Sequence, residues 1–194
     1  MISELIEKIK SNNATVCVLG LGRVGLPLSV VFANSGLNVI GIDIDEEKVL
    51  KINQGEAPFR ENKLEDYLGK ALESKKFYAS SHSKDGIDRA DVIMVSVGTP
   101  ATGQYYMDYS QVHSALEEIS KGELTMKAVG IRCTLVPGTI DNLVIPYLEE
   151  KSGLKAGIDF ALAMCPERIL EGHAIEELYD LPEIVGGVNE TSNA

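Results

Sequence analysis

Short, mainly apolar runs recur along the chain: Thr15–Leu19, Val39–Ile42, Val92–Val97, Lys127–Arg132 and Ile158–Met164. Each is too short for a helix and lacks the polar alternation of a half-exposed strand. Each is therefore expected as a strand covered on both faces, as in a parallel sheet. Helical spacing fills the intervals. Ile2, Leu5, Ile6 and Ile9 predict an amphipathic opening helix, and Leu26–Phe32 and Leu64–Leu72 predict two more. Asp45 is placed to cap a helix through Val49–Ile52, and Asp108 one through Ile119. Thr139 is placed to cap a helix that Pro146 must kink or interrupt. Phe77–Ala79 reads as a shorter strand leading to a polar helical turn that ends at Arg89. Strand and helix alternating in this way predict an α/β fold, doubly wound, with a mainly parallel sheet and right-handed crossovers.

Between the first two apolar runs stands Gly20-Leu-Gly22-Arg-Val-Gly25. A strand, this glycine spacing, a helix and a second strand in sequence are the pattern of a Rossmann-like dinucleotide-binding unit. Gly20 permits the tight turn, Gly22 lets backbone approach a pyrophosphate, and Gly25 lets helix and strand pack closely. The helix N-terminus, through Arg23, Val24 and Gly25, offers N–H groups and dipole to the phosphates. Asp43 ends the second run at the distance, about 20 residues on, where a carboxylate accepts from the adenosine ribose hydroxyls and repels a 2′-phosphate. Lys48, one turn into the next helix, can reach back toward the nucleotide. The cofactor expected is NAD.

Composition narrows the partners. A formal charge of −11 argues against nucleic acid or an anionic membrane surface. No apolar run approaches the length of a membrane span, and no basic region followed by an apolar core opens the chain, so a cytoplasmic protein is expected. Cys17, Cys133 and Cys165 show no metal-ligand spacing and fall in or beside apolar runs, where a small buried hydrophobe is the plainer role and no metal is expected.

Ligands of open parallel sheets bind beyond the carboxyl ends of the strands. Segments beginning at Gly20, Gly98, Cys133 and Cys165 should therefore converge on one rim. There, Thr134 supplies a hydroxyl. Glu167 and Glu171 would share one face if their segment were helical, and such a pair serves general base work, an ordered water or merely a solvated face. Two rival readings stand beside this one. Tyr147 and Lys151, with Thr134 upstream, match the Tyr-x-x-x-Lys spacing of short-chain dehydrogenases, although Pro137, Gly138 and Pro146 interrupt the required elements. A stand-alone NAD-binding regulatory module is the other, since fold does not fix function.

GLGRVGLP with Pro27, GIDID with Lys48, KINQGEAPF, VSVGTP, CTLVPGT, CPERILEG and LPEIVGG resemble, in this order, the nucleotide-sugar dehydrogenases. These are NAD-dependent UDP-glucose, UDP-N-acetylhexosamine and GDP-mannose 6-dehydrogenases. The resemblance implies that residues 1–187 are the NAD-binding domain of such an enzyme and that 188–194 begin a linker to central and C-terminal regions. It implies oxidation of a sugar C6 alcohol to a carboxylate in two NAD-dependent steps through a thioester, in nucleotide-sugar metabolism that feeds polysaccharide biosynthesis.

Residue by residue, the resemblance puts Gly20, Gly22, Arg23, Val24 and Gly25 at the pyrophosphate and Asp43 and Lys48 at the adenosine ribose. Thr99 and Thr134 line the nicotinamide side, and Glu171 approaches the nicotinamide ribose. Glu167 assists thioester hydrolysis, with Thr134 positioning water. Glu167, Arg168, Ile169, Leu170 and Glu171 form part of the sugar-binding rim. Cys133 stands where the family usually has serine, and Arg168-Ile169 is more similar to the N-acetylhexosamine members than to the UDP-glucose enzymes. The family's cysteine nucleophile would lie beyond Ala194, so the 194 residues alone are expected to bind NAD without turnover. A homo-oligomer is implied for the full-length protein.

Overall fold

The structure, a computed structural model, describes residues 2–103 and 106–193. Tyr105 of the tyrosine-bearing segment, Ala194 and the Ile2 side chain lie outside the described residues. The strands are β1 (Thr15–Leu19), β2 (Asn38–Ile42), β3 (Phe77–Ser80), β4 (Val92–Val95), the hairpin β5 (Ala101–Thr102) and β6 (Tyr106–Met107), β7 (Ala128–Ile131), β8 (Ala161–Met164) and β9 (Gly186–Gly187). The helices are α1 (Ile2–Lys10), α2 (Gly25–Asn34), α3 (Glu46–Asn53), α4 (Leu64–Glu73), α5 (Ser83–Ile87), α6 (Ser110–Ser120), α7 (Ile145–Ser152), α8 (Ala174–Asp180) and α9 (Glu190–Asn193).

Among the described residues, seven strands form one sheet in the order β3-β2-β1-β4-β7-β8-β9. Neighbours pair parallel from β3 through β8, and the last pair, β8 with β9, is antiparallel. The chain winds outward from β1 to β3, returns to β4 beside β1, and winds outward the other way. The crevice where the winding reverses lies between β1 and β4, which is where such sheets bind ligands.

Side chains alternate between two cores. Val16, Val18, Val39 and Met94 face one cluster with Leu26, Val30, Leu64 and Phe77. Cys17, Leu19, Ile40, Ile93 and Val95 face the other with Leu116, Ile119 and Phe160. This period of two, apolar on both sides, is why the strands read as continuous apolar runs. Helix α2 is apolar nearly all round because it is enclosed, with Leu26 and Val30 wholly buried. Each contributes about 1.5–3 kcal/mol by burial. Gly36, at φ +102°, ends it in the left-handed conformation.

Several local expectations need correction. Residues 165–170 are not helical, so Glu167 and Glu171 do not share a helix face. Pro166 disfavours helix in the residue before it, and Glu167 Oε1 accepts the Arg168 and Ile169 amides at 2.7 and 2.5 Å, occupying donors that a helix would have used. Asp108 does accept the Ser110 amide at 2.8 Å, but the helix begins only at Ser110. Thr139 turns its hydroxyl back onto the Val136 carbonyl instead of capping. A π-helical turn, Ile140–Val144, succeeds it and absorbs Pro146 at the start of α7. Residues 189–193 lie against the sheet edge: Asn189 Nδ2 donates to the Gly157 carbonyl at 2.8 Å and the Leu162 amide to Ser192 Oγ at 3.3 Å.

Candidate functional site

The three glycines of the turn meet different surroundings. A Cβ on Gly20, at φ +94°, would lie 2.4 Å from the Ser96 carbonyl oxygen, and one on Gly25 would lie 1.8 Å from the Gly20 oxygen. A Cβ on Gly22 would meet nothing within 4 Å. Gly20 and Gly25 are thus required by the fold itself, whereas the fold has no use for the space at Gly22. Val24 precedes α2 without a side-chain cap, and the first turn carries no acid, so its positive end faces that space uncompensated.

Asp43 is locked onto the same turn. Its Oδ2 accepts the Leu21 amide at 3.0 Å and Lys48 Nζ at 2.8 Å, and its Oδ1 accepts the Asp45 amide at 3.1 Å. The carboxylate is 8% exposed. Asp45 in turn caps α3 through the Lys48 amide at 3.0 Å, which fixes where Lys48 starts. Lys48 reaches back to Asp43.

Three contacts tie the four strand-end segments into one rim. Thr99 Oγ1 donates to the Thr134 carbonyl at 2.9 Å, joining the ends of β4 and β7. Arg23 Nη1 pairs with Glu171 Oε1, joining the glycine turn to the segment after β8, and the Arg23 guanidinium also lies over the Phe59 ring at 5.3 Å. Arg132 Nε donates to Glu167 Oε2 at 2.9 Å, and its Nη1 to Glu183 Oε1 at 2.7 Å. Arg168 points its guanidinium at the Pro182 carbonyl, Ile169 is half-buried, and Leu170 is exposed.

Three members of this rim escaped the sequence reading. Arg132 closes a strand, and its side chain is 4% exposed. A cation ending an apolar run must find a carboxylate, and that was the available signal. Glu183, its second partner, stood only inside the LPEIVGG motif, with no role given to it. Glu61 accepts the Gly172 amide at 2.7 Å and the Ala174 amide at 3.1 Å, while Asn62 Nδ2 donates to the Gly172 carbonyl at 2.7 Å. Glu61 thereby anchors the Glu171 backbone and satisfies the start of α8. Beside it opens a cleft of about 510 Å³ lined by Ala57, Phe59, Arg60, Glu61 and Lys63.

Burial disfavours the thiolate at all three cysteines. Burial pushes Cys17 up to about 12 and Cys133 up to about 11, and it also raises Cys165. Tyr147 meets His113 edge-on at 5.9 Å, and Lys151 lies over the Tyr147 ring while pairing with Glu150, so both are engaged within and beside their own helix. Among the described residues no cluster of His, Cys, Asp or Glu is arranged to hold a metal, and no helix is long and apolar enough to cross a membrane.

The geometry fits an NAD-type dinucleotide: open space at Gly22, an uncapped helix end beside it and an oriented acid at the end of β2. Comparison with known proteins agrees. Residues 14–194 match the model of the UDP-glucose/GDP-mannose dehydrogenase family, NAD binding domain. The chain is 34% identical to GDP-mannose 6-dehydrogenase of Pseudomonas savastanoi pv. phaseolicola over 91% of its own length and 41% of that protein's. It is likewise 34% identical to UDP-N-acetyl-D-mannosamine dehydrogenase of Pyrococcus horikoshii, covering 90% of this chain and 41% of that one. Its fold superposes on NDP-N-acetyl-D-galactosaminuronic acid dehydrogenase from Methanosarcina mazei with a TM-score of 0.88 at 30% identity, covering 97% of this chain and 42% of the other. The chain thus spans about two-fifths of the length of these relatives.

Proposed function

Since the chain belongs to the UDP-glucose/GDP-mannose dehydrogenase family as an NAD-binding domain, we propose that it is the cofactor-holding part of a nucleotide-sugar 6-dehydrogenase that oxidises a sugar C6 alcohol to a carboxylate. The observation that carries this is the pairing of an unfilled space at Gly22 with an Asp43 carboxylate bonded to the same turn. Bound NAD supplies the hydride acceptor. Gly20, Gly22, Arg23, Val24 and Gly25 would hold its pyrophosphate, Asp43 and Lys48 its adenosine ribose, and Thr99, Thr134 and Glu171 its nicotinamide end.

Glu167 is the water-activating carboxylate, with Thr134 positioning the water. Glu167 Oε1 already accepts two amides and Oε2 one guanidinium N–H, so Oε2 retains a lone pair for water. Removing that acceptor should stall the hydrolytic step and leave cofactor binding intact. In a protein carrying the remainder found in its relatives, Glu167→Gln is expected to accumulate a covalent adduct visible by mass spectrometry. Normal turnover without an adduct, or lost NAD binding, would remove Glu167 from this role.

The favoured substrate is a UDP-N-acetylhexosamine, supported by Arg168-Ile169 in the rim segment and by the Pyrococcus horikoshii relative. GDP-mannose is the second reading, since the Pseudomonas enzyme is equally similar at 34% identity. With its three thiols buried and neutral, the 194-residue chain alone should bind NAD without oxidising either sugar nucleotide. The test is NADH absorbance when purified chain, NAD and each sugar nucleotide are mixed. No NADH together with measurable NAD binding is the expected result, and sustained NADH formation would overturn it.

A further inference from the structure

The glycine turn carries one cation, Arg23, and that cation is already held. Its guanidinium sits between the Phe59 ring and the Glu171 carboxylate. It belongs to the residue that directly follows Gly22, where the turn is open, and directly precedes the uncapped end of α2. A pyrophosphate seated there brings two negative charges beside a side chain now committed to one. In a chain of formal charge −11, the turn offers no other side-chain cation in its own sequence, GLGRVG.

We propose that Glu171 holds Arg23 in the free protein and hands it to the pyrophosphate when a dinucleotide binds, which releases the Glu171 carboxylate toward the nicotinamide ribose. The exchange rests on the reading of the glycine turn as a pyrophosphate site.

Two features make it workable. The pair is easily broken, because both side chains are more than half exposed, at 53% and 62%, and exposed pairs are weak. The released carboxylate also stays in place. Glu61 and Asn62 grip the amide and carbonyl of Gly172 at 2.7 Å each, so the Glu171 backbone is fixed beside the turn whether or not Arg23 is bound. Phe59 belongs to the same loop as that grip, so it offers the guanidinium a resting surface without competing for its N–H donors. One loop, Phe59 to Asn62, thus supports both partners of the exchange.

The test titrates the chain calorimetrically with ADP, which carries the diphosphate without a nicotinamide ribose, and with adenosine, which carries neither. Glu171→Gln frees Arg23 and should tighten ADP binding about two- to fivefold at low salt, the range of an exposed ion pair. Arg23→Gln should weaken ADP binding by a similar factor or more. Adenosine affinity should be the same in all three proteins, which also reports that the variants are folded. The double variant should match Arg23→Gln alone, because Glu171 acts through Arg23. Unchanged or weaker ADP binding in Glu171→Gln would overturn the exchange, as would a double variant that keeps the Glu171→Gln gain. A wild-type chain that binds neither ADP nor adenosine would overturn the site reading together with the exchange.

Discussion

Cys17 illustrates how a single residue's surroundings decide its chemistry. Its thiol is wholly enclosed in β1, and burial raises it from its ordinary 9.0 to about 12. A thiol whose folded value exceeds its unfolded one keeps its proton longer in the folded state. Stability from this source is unaffected below pH 9 and falls as pH rises through the window from about 9 to about 12. Cys133 behaves in the same way, up to about 11. The folded chain should therefore leave all three cysteines unreacted toward a disulfide reagent at pH 8, with three thiols titrating after denaturation. Fast reaction of any one in the native state would reopen the question of a nucleophile. The site residues divide by the same logic. Asp43 was legible because a carboxylate ending an apolar strand after a glycine turn has few other uses. The partners of Arg132 were not, because it lies 35 positions before Glu167 and 51 before Glu183, and no spacing rule links separate strand ends.

At the scale of elements, the glycine turn separates what the fold needs from what a ligand needs. Gly25→Ala drives a methyl to 1.8 Å from the Gly20 carbonyl oxygen, backbone that cannot step aside, and should destabilise the domain by about 3 kcal/mol or more. Gly22→Ala meets nothing within 4 Å, so its stability should stay within about 0.5–1 kcal/mol of wild type. Its NAD affinity should nonetheless fall about tenfold or more, since the methyl occupies the space the pyrophosphate approaches. Thermal denaturation and titration of the two variants check both halves, and a Gly22→Ala chain that binds NAD normally would place the ligand elsewhere. Strands β1, β2, β4, β7 and β8 were readable because two apolar faces leave a continuous run. The condition set for Glu167 and Glu171, a helical segment, is not met over residues 165–170 because Glu167 bonds its own following amides, a local competition that residue spacing does not display. The two-residue strand β9 and the short helix α8 were missed for a related reason. Their ends are satisfied by distant groups, such as Glu61 on the Ala174 amide, and not by residues near in sequence.

For the whole molecule, one sheet with a single reversal of winding brings four strand ends to one rim. Glycine turn, helix end, Asp43 and Lys48 lie together on that rim. All three thiols on the chain are buried, and burial raises each of them. The central claim is that this body selects NAD by Asp43. An added 2′-phosphate would meet the carboxylate at short range, where like charges repel by a few kcal/mol at the effective dielectric of a protein surface. Lys48 moderates that field while bonded to Asp43, and in Asp43→Ala it would be released to favour a phosphate. The decisive measurement is a calorimetric titration of the chain and of Asp43→Ala with NAD and with NADP. The account predicts that the chain binds NAD about tenfold or more tightly than NADP and that Asp43→Ala loses this preference. Equal affinities in the wild-type chain, or an undiminished preference for NAD in Asp43→Ala, would contradict it.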